Sequence, residues 1–145
     1  MKHLIICMLV LFVLTGCSSI QDSTSVQNTP STEVLDLSLV SKYEFTVSSH
    51  DDYSETIISI ENPQDIQIMN KFLGQTVTIT HSEIPCDCEY LDSVKIFLND
   101  GKKLFFGIER NFDDSFAFSE YSLSVIRFED KSYDDLMNLI ERFRD

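Results

Sequence analysis

Residues 81–89, His81-Ser82-Glu83-Ile84-Pro85-Cys86-Asp87-Cys88-Glu89, gather most of the side chains in this sequence that are able to do chemistry. Two thiols one residue apart read in two ways. In an oxidising compartment Cys86 and Cys88 pair with each other. On an extended strand their side chains point the same way, so a bridge needs a local turn to bring the Cα atoms within ~7 Å, and Pro85 supplies one. So small a ring removes little chain entropy, which makes the disulfide a local staple. Alternatively, Cys86 and Cys88 hold a soft metal as thiolates with His81 as third ligand, while Glu83, Asp87 and Glu89 attract the cation. Structural zinc usually asks for four ligands in two separated pairs, and here there is one Cys-x-Cys. A redox-active pair is less favoured still, because three acids nearby raise the thiol pKa.

Other reactive arrangements are absent from the sequence. Beyond residue 16 the histidines are His50 and His81, and there is no Gly-x-Ser-x-Gly elbow, phosphate-cradling glycine loop or His-Glu-x-x-His helix. Cys86 with His81 as nucleophile and base carries no family spacing. The acidic pairs Asp51-Asp52 and Asp113-Asp114 fall in expected loops, where such residues are routine, and Asp134-Asp135 opens a helix. None has the alternating spacing of a calcium-binding EF-hand loop. The sequence thus predicts no enzyme and no cofactor.

Cys17 has a different setting. Met1-Lys2-His3 precedes an apolar run over residues 4–14, and Thr15-Gly16 follows. A basic start, a hydrophobic stretch of the ~7–15 residues usual for export, and small residues at a cleavage point make a secretory signal. Eleven apolar residues fall short of the ~20 needed to span a bilayer, and Cys7 is a small apolar member of that run. Leu14-Thr15-Gly16-Cys17 resembles the lipobox of bacterial lipoproteins, a resemblance confined to the leader. It implies that the Cys17 thiol receives diacylglycerol as a thioether and that the chain is cut just before it. Each buried methylene of palmitate-type chains then contributes ~0.8 kcal/mol, so two or three chains anchor firmly. The implied location is the extracytoplasmic side of a cell membrane or outer membrane. Ser18 and Ser19 resemble outer-membrane sorting in a two-membrane cell; in a one-membrane cell the protein faces outward from the plasma membrane.

Charge bounds the partners. The chain carries 11 Lys and Arg against 24 Asp and Glu, and loss of residues 1–16 removes Lys2 and no acid. Nucleic acid and bare anionic lipid repel such a surface, so an electrostatic partner is a basic protein, a basic peptide or a cation. A hydrophobic fraction of 43% over 145 residues suits one globular domain of the usual ~100–150 residues and leaves no second core.

Patterning then sets the elements that must position these residues. Residues 1–16 are the signal peptide, 17–33 the lipidated Cys17 with a polar, flexible tether, and 34–145 a single α+β domain. Leu35, Leu37 and Leu39 alternate as an opening strand or a sticky end of the tether. Residues 43–47 and 56–60 read as paired strands around a His50-Asp51-Asp52 loop. Asn62-Pro63 opens a helix over 63–73, with Gly74 as terminator. Strands follow at 76–80, 94–98 and 103–108, the last two joined by Asn99-Asp100-Gly101-Lys102 as a tight type I′ hairpin. Phe116, Phe118 and residues 121–128 supply one or two more. Ser132 with Asp135 resembles a capping box, opening a terminal helix with Leu136, Leu139, Ile140 and Phe143 on one stripe and Arg142 and Arg144 at its end.

The predicted architecture is one antiparallel sheet of about six strands with two helices on one face. Phe105, Phe112, Phe116 and Phe118 read mostly as core. Phe97 and Phe105, however, fall on the hairpin face opposite the core set; with the helices on one side only, they mark an exposed patch and a binding surface. The reading is of a non-enzymatic, lipid-anchored envelope module of inhibitor, protective or accessory type, the alternative being a metal-binding or thiol-redox lipoprotein using Cys86 and Cys88.

Overall fold

The computed structural model describes residues 30–49, 54–81, 91–120 and 124–144. In chain order the elements are β1 (Ser31–Asp36), a 3-10 turn (Leu37–Leu39), β2 (Val40–Ser48), β3 (Glu55–Ile60), α1 (Pro63–Leu73), β4 (Thr76–His81), β5 (Asp92–Leu98), β6 (Lys103–Arg110), β7 (Phe116–Glu120), β8 (Ser124–Phe128) and α2 (Tyr133–Glu141). Among the described residues, all strands join one antiparallel sheet in the order β1-β4-β8-β7-β6-β5-β2-β3.

The expected count of about six strands is therefore corrected to eight. Two features hid the difference. β1 is an edge strand that begins at Ser31 and buries only Leu35, so its polar first half lacks the alternation that marks a half-buried strand. The apolar run beyond residue 116 holds no Gly or Pro to show where β7 ends and β8 begins. Nor do Leu35, Leu37 and Leu39 alternate: β1 ends at Asp36, whose carboxylate accepts from Ser38 N at 2.9 Å, and the turn buries Leu37 and exposes Leu39. Those hydrogen bonds from Ser38 hold the Asp36 carboxyl below its ordinary range.

Connectivity bends this sheet. β1 and β2 stand six places apart in the order, which in a flat sheet is ~29 Å at ~4.8 Å per strand. From Asp36 to Val40 the chain reaches at most ~15 Å. The sheet must curl until its two ends approach, and one contact crosses the gap: Lys102 Nζ, in the loop after β5, lies 3.5 Å from Glu33 Oε1 on β1.

The concave side holds the core and both helices. In α1, Asn62 caps through Gln64 N (2.9 Å), Pro63 occupies the first turn, and Gly74, at φ 105°, donates its N–H to Asn70 O. In α2, Ser132 Oγ accepts from Asp135 N at 3.3 Å, and Leu136, Leu139 and Ile140 turn inward. Between them lies an aromatic stack in which Phe116 and Phe128 are 4.6 Å apart, Phe118 and Phe128 4.9 Å, and Phe72 of α1 reaches Phe116 at 6.4 Å.

Polar groups drawn into this core are paired. Asn70 accepts from the Tyr43 hydroxyl at 2.6 Å and donates to Leu37 O at 2.7 Å, tying α1 to β2 and to the turn after β1. Asp92 accepts from Ser48 N at 2.9 Å and from the Tyr133 hydroxyl at 2.5 Å, tying α2 to β5 and β2. Burial pushes both hydroxyls well above the usual tyrosine range, with the Asp92 carboxylate adding to the effect at Tyr133.

The β5–β6 hairpin departs from the type I′ expectation. Gly101 N donates to Leu98 O and Leu98 N to Lys102 O, and Gly101 is left-handed at φ 87°, whereas Asp100 is not. The connection is a three-residue loop, a type I turn ending in a left-handed glycine. This register keeps Val94 opposite Phe106 and Ile96 opposite Leu104, so both strands turn their apolar sets to one face.

The β6–β7 loop repeats the design, with Asp114 in the left-handed place at φ 68°. That conformation is uncommon outside glycine, although aspartate and asparagine adopt it more readily than other residues. It is held by Arg110 Nη2 at 2.7 Å from Asp114 Oδ1, by Ser132 Oγ donating to Oδ2, and by Tyr133 N donating to Asp114 O at 2.7 Å. Phe112, grouped with the core aromatics by the sequence reading, stands fully exposed at the tip of this loop.

Candidate functional site

Alternation that sends Val94, Ile96, Leu104 and Phe106 inward sends Lys95, Phe97, Lys103 and Phe105 to the convex face. Pairing of β2 with β5 adds Lys42 and Glu44. The register forms two rows across three strands: Lys42 opposite Phe97 opposite Lys103, and Glu44 opposite Lys95 opposite Phe105. Neighbours in such rows have Cβ atoms ~4.5–5.5 Å apart, and diagonal pairs such as Phe97 and Phe105 stay within reach of long side chains at ~7–8 Å. Aromatic and charged side chains thus alternate like a checkerboard.

Lys42 Nζ and Lys103 Nζ lie 5.4 and 5.3 Å from the Phe97 ring centroid. Two ammonium groups against one ring gain from its quadrupole and leave Phe97 half-buried beneath their stems. Lys95 reaches Glu44 at 2.8 Å; Lys42 reaches Glu61 at 2.8 Å and Glu44 at 3.4 Å. The hydrogen bond from Lys95 holds the Glu44 carboxyl below its ordinary range, and Glu61, with Glu44, raises Lys42. Lys103 enters no ion pair among the described residues. Phe105 beside it is 42% exposed.

Phe97 and Phe105 therefore sit together on the face away from the helices, where the hairpin pattern placed them. The lysines and the glutamate around them were missed. Their signal lay in the other phase of the same alternation: once Ile96 is set opposite Leu104, Phe97 must face Lys103 and Lys95 must face Phe105.

His81 closes β4 elsewhere in the sheet. Its Nδ1 is 3.0 Å from Ser124 Oγ on β8, and its Nε2 is 3.8 Å from Glu33 Oε2 on β1. Serine and carboxylate approach the two ring nitrogens of the imidazole, but 3.8 Å is too long for the hydrogen bond that would orient the ring. Glu33 is shared with Lys102 and half-exposed. The set acts as a clasp across three strands.

A cleft of about 510 Å³ opens between the 3-10 turn and α1, lined by Ser38, Ser41, Glu61, Gln67, Asn70 and Asn99. Both ends of the Asn70 amide are already engaged by Tyr43 and Leu37.

The expected thiol chemistry is corrected only as far as the described residues reach. Cys17, Cys86 and Cys88 lie outside the described residues, and among those described there is no disulfide bond. An extended Cys-x-Cys holds its Cα atoms ~6.5–7 Å apart, at the limit a bridge tolerates, so spacing alone was a weak warrant. No group of three or more His, Cys, Asp or Glu among the described residues could hold a metal. The ring of His81, proposed as third ligand, is turned to Ser124 and Glu33. No described helix is long and apolar enough to cross a membrane. Attachment through a lipid on Cys17 needs no such helix.

Compared with known families, curated proteins and solved structures, the chain matches no family model, no curated protein and no solved structure.

Proposed function

We propose that this chain is a lipid-anchored binding module of the bacterial cell envelope, without catalytic chemistry of its own. Acyl chains on Cys17 hold it on the extracytoplasmic side of a cell membrane or outer membrane, and the convex face around Phe97 and Phe105 engages another protein or ligand in an inhibitory, protective or accessory role. The leader supports the address, through the order of basic, apolar and small residues ahead of Cys17. The observation that carries the binding role is Phe105, 42% exposed beside Phe97 and a lysine with no ion pair among the described residues, on the face away from both helices. Exposed aromatic side chains are enriched at recognition surfaces.

Two measurements test this in the producing cell. The parent should fractionate with membranes, and a Cys17→Ala variant should not. A photo-crosslinking amino acid at position 105 should give a discrete adduct, and the same group at exposed Ile68 on α1 should give none. A Cys17→Ala protein that stays on the membrane removes the address, and equal adducts from both positions remove the surface.

A further inference from the structure

We infer that the convex checkerboard binds an acidic polypeptide segment in which carboxylate and apolar side chains alternate. The inference rests on the reading of that face as a binding surface and assigns its partner a chemistry. Whole-chain charge points the other way: a formal net −13 favours basic partners. Locally the balance reverses. The six paired positions hold Lys42, Lys95 and Lys103 against Glu44, with two phenylalanines between them, and Glu61 at the margin of Lys42 leaves one cation in excess.

The cations differ in what they can offer. Lys42 and Lys95 are already engaged by Glu61 and Glu44 at 2.8 Å. Lys103 has no carboxylate among the described residues, and its ammonium is placed only by the Phe97 ring at 5.3 Å. An incoming anion therefore breaks no described ion pair there. Two places along the same face of β6 comes Phe105, at the ~6.6–7 Å repeat of an extended chain. A segment that alternates acid and apolar residues on one side has the same repeat, so one carboxylate meets Lys103 while the next apolar group covers Phe105.

Carboxylates on an apolar scaffold fit better than phosphates. Phosphate recognition favours arginine forks or convergent backbone N–H groups, and here the cations are lysines separated by rings. A bare anionic lipid surface meets the repulsion of the whole acidic chain.

Fluorescence anisotropy on the full chain in neutral detergent tests the inference, using a fluorescein-labelled Glu-Phe-Glu-Phe-Glu peptide as probe and its Lys-Phe-Lys-Phe-Lys counterpart as control. The acidic peptide should bind with salt-sensitive affinity. Lys103→Glu should weaken it about tenfold, whereas Lys71→Glu, an identical change of net charge on exposed α1, should leave it unaltered. Equal losses from both variants, tighter binding of the basic peptide, or preferential binding of inorganic polyphosphate would each overturn the assignment. An adduct at position 105 together with no acidic-peptide binding would condemn the partner chemistry and spare the surface; loss of both would condemn the surface.

Discussion

The two faces of the curled sheet are built from the same strands and obey opposite rules. On the concave side, Phe106, Phe116, Phe118 and Phe128 are buried and their rings interlock, and the polar groups admitted there, Asn70 and Asp92, are bonded by side chains from other elements. On the convex side, phenylalanines sit among lysines, and the charge pairs are partly exposed. Burial of apolar area is what stabilises the fold, at ~25 cal/mol per Å²; exposed ion pairs add little. One face thus maintains the structure, and the other contributes little to it.

The contrast is broken most directly by truncating one phenylalanine on each face. Phe116→Ala removes a fully buried ring from the centre of the stack, and urea unfolding should show a loss of ~3–5 kcal/mol. Phe105→Ala should stay within ~0.5 kcal/mol of the parent while abolishing the position-105 contact with a partner. Comparable losses from the two would mean that both faces are core.

A smaller effect separates polar from apolar contributions on the concave side. Asp92→Ala leaves Ser48 N–H and the Tyr133 hydroxyl without their acceptor, a cost of ~1–3 kcal/mol. A cycle with Tyr133→Phe should show coupling, because the double variant no longer strands the hydroxyl.

The smallest predicted effect is a pH dependence that belongs to the concave side. Tyr43 is held above its ordinary 10.0 by burial, and Tyr133 chiefly by burial. Because folding favours the protonated phenols, the unfolded chain ionises first. Their contribution is full below pH 10.0 and declines as the pH rises through and beyond it. Urea midpoints should therefore fall on the alkaline side, and Tyr43→Phe should flatten that fall while Phe105→Ala leaves its slope unchanged.

Much of the concave half was legible in the sequence. α1 has the bounds Pro63–Leu73 that Asn62-Pro63 and Gly74 indicate, and the apolar phase of β5 and β6 picked out the observed core residues. Local signals suffice where a cap or an alternation is complete. What lay beyond reach was set by long-range geometry. The polar start of β1 is a strand only because β4 pairs with it, and Phe112 is exposed because Asn111, Asp113, Asp114 and Ser115 spend their polar groups inside the loop and on α2. At the candidate site the rings, Lys95 and Lys103 lay in the outward phase of one hairpin, but Lys42 and Glu44 required the pairing of β2 with β5, which neighbouring residues do not encode.

The short link between β1 and β2 has a mechanical consequence. A pull transmitted through residues before 30 reaches Ser31 first, on a strand bonded along one side only and clasped by Glu33. Under load β1 peels before Val40, which is locked to β5 beside the candidate site. Its six residues then release ~20 Å of slack, and the rest of the domain gains reach while its convex face stays intact.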